Sequence, residues 1–452
     1  MKVNPDIFKA YDIRGKYPRE INEEAAERIG NATAVFLIGK LRKKRPHFII
    51  CYDVRTSSPR IKNAVIQGIL DAGCDVEDVG LGTTPFFYFL MRRLKPDGGI
   101  MVTASHNPAE YNGMKIRGRG GAPISLGSGL EKIRAIAFRR AALKRKEKGK
   151  MLDAGDYRDE YLSFLAKGVS IGRIRTVIDA AGGSTAYFLP RLLNNFPEVI
   201  YKPLFFEPDG SFSRHSPNPL LNEAQKFIKQ ELASEGFRFG ALFDGDGDRV
   251  FFFDEKGSLV RPDHIFGILA EDILKRIPRS TFVMTITTSK GVREHLEKKG
   301  ARIVLSRVGY TFVRPAMRKT GAALATELSG HFFFKELEGD ESGLFCWLRI
   351  ASLLSHTPRP LSSLTLPLKT YISSDEINFS VRDKKAVALQ IRKFYRKGKI
   401  SQLDGITVEF QDWWFNLRPS NTEPFVRLVL EARTEELFRE KLNEVENILK
   451  KG

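Results

Sequence analysis

The chain is poor in cysteine: Cys51, Cys74 and Cys346 are scattered, odd in number and without metal-type spacing. That argues against a disulfide framework and against a thiolate metal site. No apolar run reaches the length of a bilayer span, and the segment from Met1 to Lys9 lacks the apolar centre of a secretory signal. A cytoplasmic protein with no membrane partner is expected. Acidic residues are also in deficit: 54 Asp and Glu stand against 73 Lys and Arg, for a formal charge of +19. Such a balance points to nucleic acid, an anionic membrane surface or an anionic small substrate. Part of the excess is local, crowded between Arg139 and Lys150. No stacking aromatics are interleaved there to hold bases, so the stretch reads as a solvated helix and linker, and no nucleic-acid partner is expected. With 42% apolar and 28% charged residues the chain is otherwise that of an ordinary globular protein.

Its 452 residues exceed what one core can organise, and about three or four domains are expected. A repeated theme supports this. The run from Pro46 to Asp53 reads as a buried strand, followed by Arg55-Thr-Ser-Ser58, a helix from Ile61 to Ala72, and a second strand from Cys74 to Gly80. A second copy runs from Arg175 to Asp179, turns at Gly182–Thr185, continues as a helix to Leu193 and reaches a strand near Val199. A third runs from Thr281 to Ile286, turns at Thr288–Lys290, forms a helix to Lys299 and ends in a strand from Arg302 to Leu305. Each is an apolar run, a Ser/Thr/Gly turn, an amphipathic helix and another apolar run, which predicts α/β domains with parallel or mixed sheets. The last part differs. A basic helix-like segment from Lys384 to Lys397 precedes strands at 407–411, 413–417 and 425–431 and a closing helix from Glu435 to Lys450, predicting an α+β module. The predicted domains are 1–152, 153–255, 256–368 and 369–452.

Two short segments concentrate chemistry. Thr103-Ala-Ser-His-Asn-Pro108 offers the hydroxyl of Ser105 in a polar turn after the apolar run Gly98–Thr103, where open α/β sheets place ligands. Taken alone it also reads as a simple Asn-Pro turn. His106 and Lys115 are the nearby groups able to activate a serine. Asp244-Gly-Asp-Gly-Asp-Arg249 places three carboxylates at alternate positions and a cation directly after them. Hard oxygen ligands of this kind suit Mg²⁺. A calcium EF-hand loop also starts with alternate Asp residues, and Glu255 falls at its twelfth position. However, Arg249 stands where that loop needs glycine, and the flanks read as strands. A solvated acidic loop is the remaining alternative. Two further turns are polar: Glu327, Ser329 and His331 suit sugar hydroxyls, and Arg418-Pro-Ser-Asn-Thr-Glu-Pro424, with Arg427 beyond, suits a phosphate monoester. Capped or hairpin loops would look similar. Tyr11 and Arg14 lie in Tyr11-Asp-Ile-Arg-Gly15.

In this order the five motifs, from Tyr11 to Arg427, resemble the α-D-phosphohexomutases, and in particular the phosphomannomutase/phosphoglucomutase group. The resemblance implies three related α/β domains and a C-terminal α+β domain around a central cleft. It implies a mutase that interconverts hexose 1- and 6-phosphates of mannose or glucose, with Mg²⁺ and a hexose 1,6-bisphosphate as activator and intermediate, acting as a monomer or weak dimer. By resemblance Ser105 carries the phosphoryl group; Asp244, Asp246, Asp248 and the Ser105 group hold the metal; His106, Lys115 and Arg249 assist. Tyr11, Arg14, Glu327, Ser329, His331, Arg418, Ser420, Asn421, Thr422 and Arg427 would bind substrate. The sequence departs from the pattern at Ala325-Thr326, where relatives usually place glycines, and at Tyr310, where some have His or Asp. Asn421 leans away from the alternative of a phosphoglucosamine mutase. A binder of nucleic acid or anionic surfaces built on the same fold is the alternative from a different class.

Overall fold

The computed structural model describes residues 3–139, 143–234, 236–381, 383–419 and 425–451. The chain divides into two compact units, one of residues 1–259 and 341–360 and one of residues 260–340 and 361–452.

The first unit contains two mixed sheets. The strands β1 (Ile13–Lys16), β2 (His47–Tyr52), β3 (Asp75–Leu81), β4 (Gly98–Val102), β5 (Tyr111–Gly118) and β6 (Met151–Leu152) lie in the order β1-β5-β4-β2-β3-β6. The pairs β2–β3, β2–β4 and β3–β6 are parallel, whereas β5 is antiparallel to both β1 and β4. The central parallel strands β2 and β4 are apolar on both faces, as helices on each side require. Phe48, Ile50, Ile100 and Val102 pack with Ile29 of α1 (Glu23–Leu41), Ile61 and Val65 of α2 (Ser58–Asp71) and Ile133 of α4 (Leu130–Ala137), while α3 (Thr84–Arg93) follows β3.

The second sheet follows α5 (Arg158–Ala166) and is built from β7 (Ile174–Asp179), β8 (Val199–Leu204), β9 (Phe239–Phe243) and β10 (Val250–Phe253) in the order β10-β9-β7-β8, with the two-residue strand Leu259–Val260 beside β10. Here β7 is parallel to β8 and β9, and β10 turns back against β9. Val177, Leu242, Phe251 and Phe253 pack on Ala224, Ile228 and Leu232 of α7 (Asn222–Leu232). The helix expected to reach Leu193 without a break is divided at Phe188 into a 3-10 turn, Ser184–Tyr187, and the short α6, Leu189–Leu193. Pro190 has no N–H for a bond to the preceding turn. The helix Gly343–Ser355 also belongs to this unit and packs on β7, β10 and α5.

The second unit has a third mixed sheet, in the order Arg302–Ser306, Thr281–Thr285, Leu324–Thr326, Phe332–Phe334 and Asp340–Glu341. The first three are parallel, and Phe332–Phe334 runs antiparallel to its neighbour. Val283, Ala325 and Phe333 pack on Val313 and Met317 of the helix Tyr310–Thr320. The C-terminal sheet is antiparallel: Phe425–Ala432 lies between Trp413–Pro419 on one side and Ile372–Ser373 and Ile377–Ser380 on the other, and Ile406–Glu409 and Lys399–Ser401 extend the order beyond Trp413–Pro419. Lys399–Ser401 was not expected from the sequence. The preceding helix stops at Phe394, and Gly398 N–H donates to the Tyr395 carbonyl to turn the chain.

These sheets share one device. In each α/β domain a parallel strand ends, a short loop follows, and the next strand returns antiparallel to it. The three loops are those after β4, after β9 and after Leu324–Thr326. They contain Ser105, the three aspartates and Glu327–His331, respectively. The three cysteines are buried and unbonded. Among the described residues no helix is long and apolar enough to cross a membrane.

The first sheet's helix layer depends on a close crossing of α1 and α2. A Cβ at Gly68 would fall on the Glu27 carbonyl oxygen, and Asn31 Nδ2 donates to the Gly68 carbonyl at 3.0 Å. Gly68→Ala is therefore expected to destabilise the first unit by about 1–3 kcal/mol, the usual cost of forced overpacking. Urea unfolding checks this, and an unchanged midpoint would refute the crossing.

Candidate active site

In the first unit the Ser105 loop and the aspartate loop meet. Ser105 is buried, with 1% exposure, and its backbone lies in the left-handed region at φ 51°. For a serine that conformation costs about 1–2 kcal/mol, so the surroundings must hold it. The Ser105 N–H donates to Thr103 Oγ1 at 2.8 Å, and the Ser105 hydroxyl donates to Asp244 Oδ2 at 2.9 Å. His106 Nδ1 lies 3.4 Å from the same hydroxyl. The close approach of the two loops depends on Gly245, where a Cβ would stand 2.6 Å from the Ser105 carbonyl oxygen.

Asp244, Asp246 and Asp248 are buried, and one carboxylate oxygen from each lies within 4.8 Å of the others. Asp244 Oδ1 accepts from the backbone N–H groups of Gly247 and Arg249 at 3.0 and 3.2 Å. Asp246 Oδ2 accepts from Lys115 Nζ at 2.7 Å and from Thr84 Oγ1 at 2.6 Å. Lys115, on β5, also reaches Asp248 Oδ2 at 2.5 Å. Arg249 Nε stands 3.8 Å from Asp244 and 3.7 Å from Asp248. Burial opposes the charge on Lys115, but Asp246 and Asp248 overcome it and hold its pKa well above the usual lysine value. Burial, then the charges of Asp248 and Asp246, push the Asp244 carboxyl well above the carboxylate range despite Arg249 and Lys115.

These residues fit a divalent cation. With Asp244 ionised, three carboxylates against Lys115 and Arg249 would leave a net negative charge in a buried site, the state that a bound cation favours, and Asp246 Oδ1 is buried without a hydrogen-bond partner. A buried carboxylate oxygen left in that condition calls for an explanation, and a hard cation with oxygen ligands supplies one.

Arg14 is placed at the same loop. It binds Asp12 Oδ2 through Nε and a terminal nitrogen at 3.0 and 2.8 Å, and donates to Asn107 Oδ1 at 2.6 Å and the Ala104 carbonyl at 3.4 Å. Burial works against its charge, yet Asp12 leaves its pKa raised. Tyr11 is half-buried just before β1. The sequence reading passed over Arg55, a buried guanidinium that donates to four carbonyls of the segment 105–111. It also passed over Thr84, on Asp246. The signal for Arg55 was present: it follows β2, which is parallel to β4, so both strands end at the same edge of the sheet.

The second unit brings Glu327, Ser329 and His331 together. Glu327 is buried; Oε1 accepts from the Gly309 N–H at 2.6 Å and Oε2 lies 3.3 Å from His331 Nδ1, while Ser329 Oγ is 2.8 Å from the same nitrogen. Glu327 therefore also ties down the turn that precedes Tyr310, the first residue of its helix. Arg418 and Arg427 are direct cross-strand partners. Like charges so placed repel, and Glu376, another residue not singled out from the sequence, bridges them at 2.5 and 2.9 Å. Ser420, Asn421 and Thr422 lie outside the described residues.

With this geometry in place, the comparisons with known proteins are consistent across the chain. Family models described as phosphoglucomutase/phosphomannomutase alpha/beta/alpha domains I, II and III match residues 5–144, 159–257 and 261–371, and the model of the C-terminal domain matches 376–448. A phosphomannomutase of Methanocaldococcus jannaschii is 36% identical over 453 residues, covering 98% of each chain. A Xanthomonas campestris pv. campestris protein named for phosphohexose mutases is 36% identical over 450 residues, covering 98% of this chain and 99% of its own. A solved phosphoglucomutase/phosphomannomutase family protein of Burkholderia thailandensis superposes with a TM-score of 0.90 at 28% identity, covering 99% of this chain and 98% of that one. The chain is thus an enzyme of the intramolecular phosphotransferase class. It belongs to the phosphoglucomutase/phosphomannomutase family.

Two outcomes follow. A raised Asp244 pKa means that its buried ionised form costs stability, a cost absent in acid and felt as pH rises through that pKa. In chelator, Asp244→Asn is expected to raise the melting temperature at neutral pH, because the buried ionised carboxylate is removed, while weakening divalent-metal affinity more than tenfold; wild-type affinity should fall as pH is lowered, because protons compete for the ligands. Melting in chelator and metal titration read both effects, and equal affinity in the two proteins would refute the site. For the Arg418–Arg427 pair, Glu376→Gln should tighten inorganic phosphate binding several-fold by releasing an anion-seeking pair. Calorimetric titration that shows weaker or unchanged phosphate binding would argue against an anion site there.

Proposed function

We propose that the enzyme interconverts the 1- and 6-phosphates of mannose or glucose through a phosphoserine at Ser105 and a hexose 1,6-bisphosphate. The observation that carries this reading is the Ser105 hydroxyl, held in a strained turn and donating at 2.9 Å to Asp244, one of a buried aspartate trio. Asp244, Asp246 and Asp248, with an oxygen of the Ser105 phosphoryl group, would hold Mg²⁺, which supplies charge neutralisation to the transferring group.

The other parts follow from charge and reach. The free sugar hydroxyl forms the new P–O bond as the Ser105 Oγ–P bond breaks, and the phosphoryl group later returns to Ser105 from the other position of the bisphosphate. Phosphoryl transfer depends mainly on positioning and electrostatic stabilisation. Lys115 is held in its charged form, which suits it to stabilise the phosphoryl oxygens and not to act as a base. His106, beside the serine hydroxyl, is the group placed to exchange the proton that the sugar hydroxyl loses and Ser105 regains. Glu327, Ser329 and His331 offer acceptors and a hydroxyl for vicinal sugar hydroxyls. Arg418 and Arg427, freed from Glu376, suit the phosphate that does not react. The excess of positive charge favours capture of dianionic substrates, and the free buried cysteines suit a reducing cytoplasm.

A coupled assay with mannose 1-phosphate, glucose 1-phosphate or glucosamine 1-phosphate, each with a trace of the bisphosphate, tests the reading. Turnover is expected with mannose or glucose, and Ser105→Ala should lower kcat at least about 10³-fold. Intact mass should show one phosphoryl group on the wild type after exposure to bisphosphate and none on the variant. Absence of turnover with mannose and glucose phosphates, or wild-type turnover by Ser105→Ala, would sink it.

A further inference from the structure

Arg55 lies at the centre of the serine loop, and its donors go to Asp53 and to loop carbonyls, none to Asp244, Asp246 or Asp248. Its side chain has 0% exposure. One terminal nitrogen donates to the Pro108 and Tyr111 carbonyls at 2.7 and 3.1 Å, the other to the Ser105 and Asn107 carbonyls at 2.7 and 2.6 Å, and Nε donates to Asp53 Oδ2 at 3.1 Å. A guanidinium has five N–H groups, and here five acceptors meet them. Arg55 therefore has no donor left for a phosphate. Asp53, in turn, is fixed by the Ser58 hydroxyl at 2.5 Å and by the Arg55 backbone N–H at 3.1 Å. Phe212 covers the guanidinium, with its ring centre 5.0 Å away.

We propose that Arg55, anchored by Asp53, is a positioning residue for phosphoryl transfer: it clamps the carbonyls of residues 105–111 so that Ser105 keeps its left-handed backbone throughout the reaction cycle. The inference rests on the reading of Ser105 as the residue that gives up and recovers the phosphoryl group. In that cycle Ser105 alternates between a neutral hydroxyl and a highly charged ester. A loop shaped only by contacts to Ser105 Oγ would relax with each change. Arg55 instead holds backbone atoms whose charge does not change, and the strained φ of Ser105 requires such an independent hold. Lysine cannot replace it, because an ammonium has three donors and no planar fork.

The test uses the full-length enzyme and the variants Arg55→Lys and Asp53→Asn, with Ser105→Ala as control. Arg55→Lys should lower kcat about 10²-fold, the cost of a displacement near 1 Å at a reacting group, with KM for the hexose 1-phosphate within about twofold of wild type. Single-turnover transfer from phosphorylated Ser105 to substrate, followed by intact mass, should slow by the same factor among molecules that carry the phosphoryl group. Asp53→Asn should show the same split with a smaller loss, and it decides the matter if Arg55→Lys does not fold. Wild-type kcat and transfer rate in the variant that folds, or a loss confined to KM or to the phosphorylatable fraction, would overturn the clamp while leaving the role of Ser105 intact. Wild-type turnover by Ser105→Ala would overturn the underlying reading instead.

Discussion

The constraint on which the site depends is the burial of three carboxylates within 4.8 Å of one another. Such an arrangement is unfavourable by itself, because each ionised aspartate raises the cost of ionising the next. Its neighbours are arranged around that cost. Lys115 reaches two of the three from β5, Arg249 stands within 4 Å of two, and backbone N–H groups turn toward Asp244. With all three ionised the remaining imbalance is negative, and Asp246 retains a buried oxygen without a partner. A site left short of positive charge in this way is suited to a divalent ion and to the phosphoryl chemistry that such an ion assists.

The fold supplies that convergence by repeating one turn. Where a parallel strand ends and its neighbour returns antiparallel, the intervening loop projects from the C-terminal edge of the sheet, the edge at which α/β proteins hold ligands. The first two loops meet within the first unit: Gly245 packs against the Ser105 carbonyl, and the Thr84 backbone N–H donates to the Asp246 carbonyl at 2.9 Å. The third, Glu327–His331, occupies the same topological position in its own sheet, Leu324–Thr326 being paired in parallel on one side and antiparallel on the other. Repetition of a domain has thus provided three versions of one loop, each free to carry different chemistry.

What could be read from the sequence divides along the same line. The strands and helices of the three α/β repeats were legible because their apolar runs and amphipathic periods are local properties. Ser105 and the aspartates were legible because their chemistry is packed into six consecutive residues each. Arg55 did not stand out, since its importance comes from directly following β2, whose parallel pairing with β4 sets Tyr52 opposite Val102 and so brings Asp53–Arg55 beside the serine loop. Glu376 was hidden for a similar reason: it precedes a strand paired with Phe425–Ala432, and only that register brings it to Arg418 and Arg427. The break at Phe188 shows a local signal outweighed by another, because Pro190 removes the donor that a continuous helix would need.

These cross-strand partners also separate two tasks that a list of motif residues runs together. In the proposed reaction, groups that would meet changing charge, such as Ser105, the aspartates and Lys115, must tolerate more than one electrostatic state, so they cannot also be the sole source of the loop's shape. Groups that set shape do best when their own bonds are complete and unaffected by the reaction. Arg55 meets that condition, with five donors matched to five acceptors and its counter-ion fixed by a hydroxyl. Glu327 meets part of it, with one oxygen committed to the Gly309 N–H and the other beside His331. It thereby couples the Glu327–His331 loop to the turn before Tyr310, so under the proposed sugar-binding role of that loop a change at Tyr310 would act on the sugar by moving Glu327.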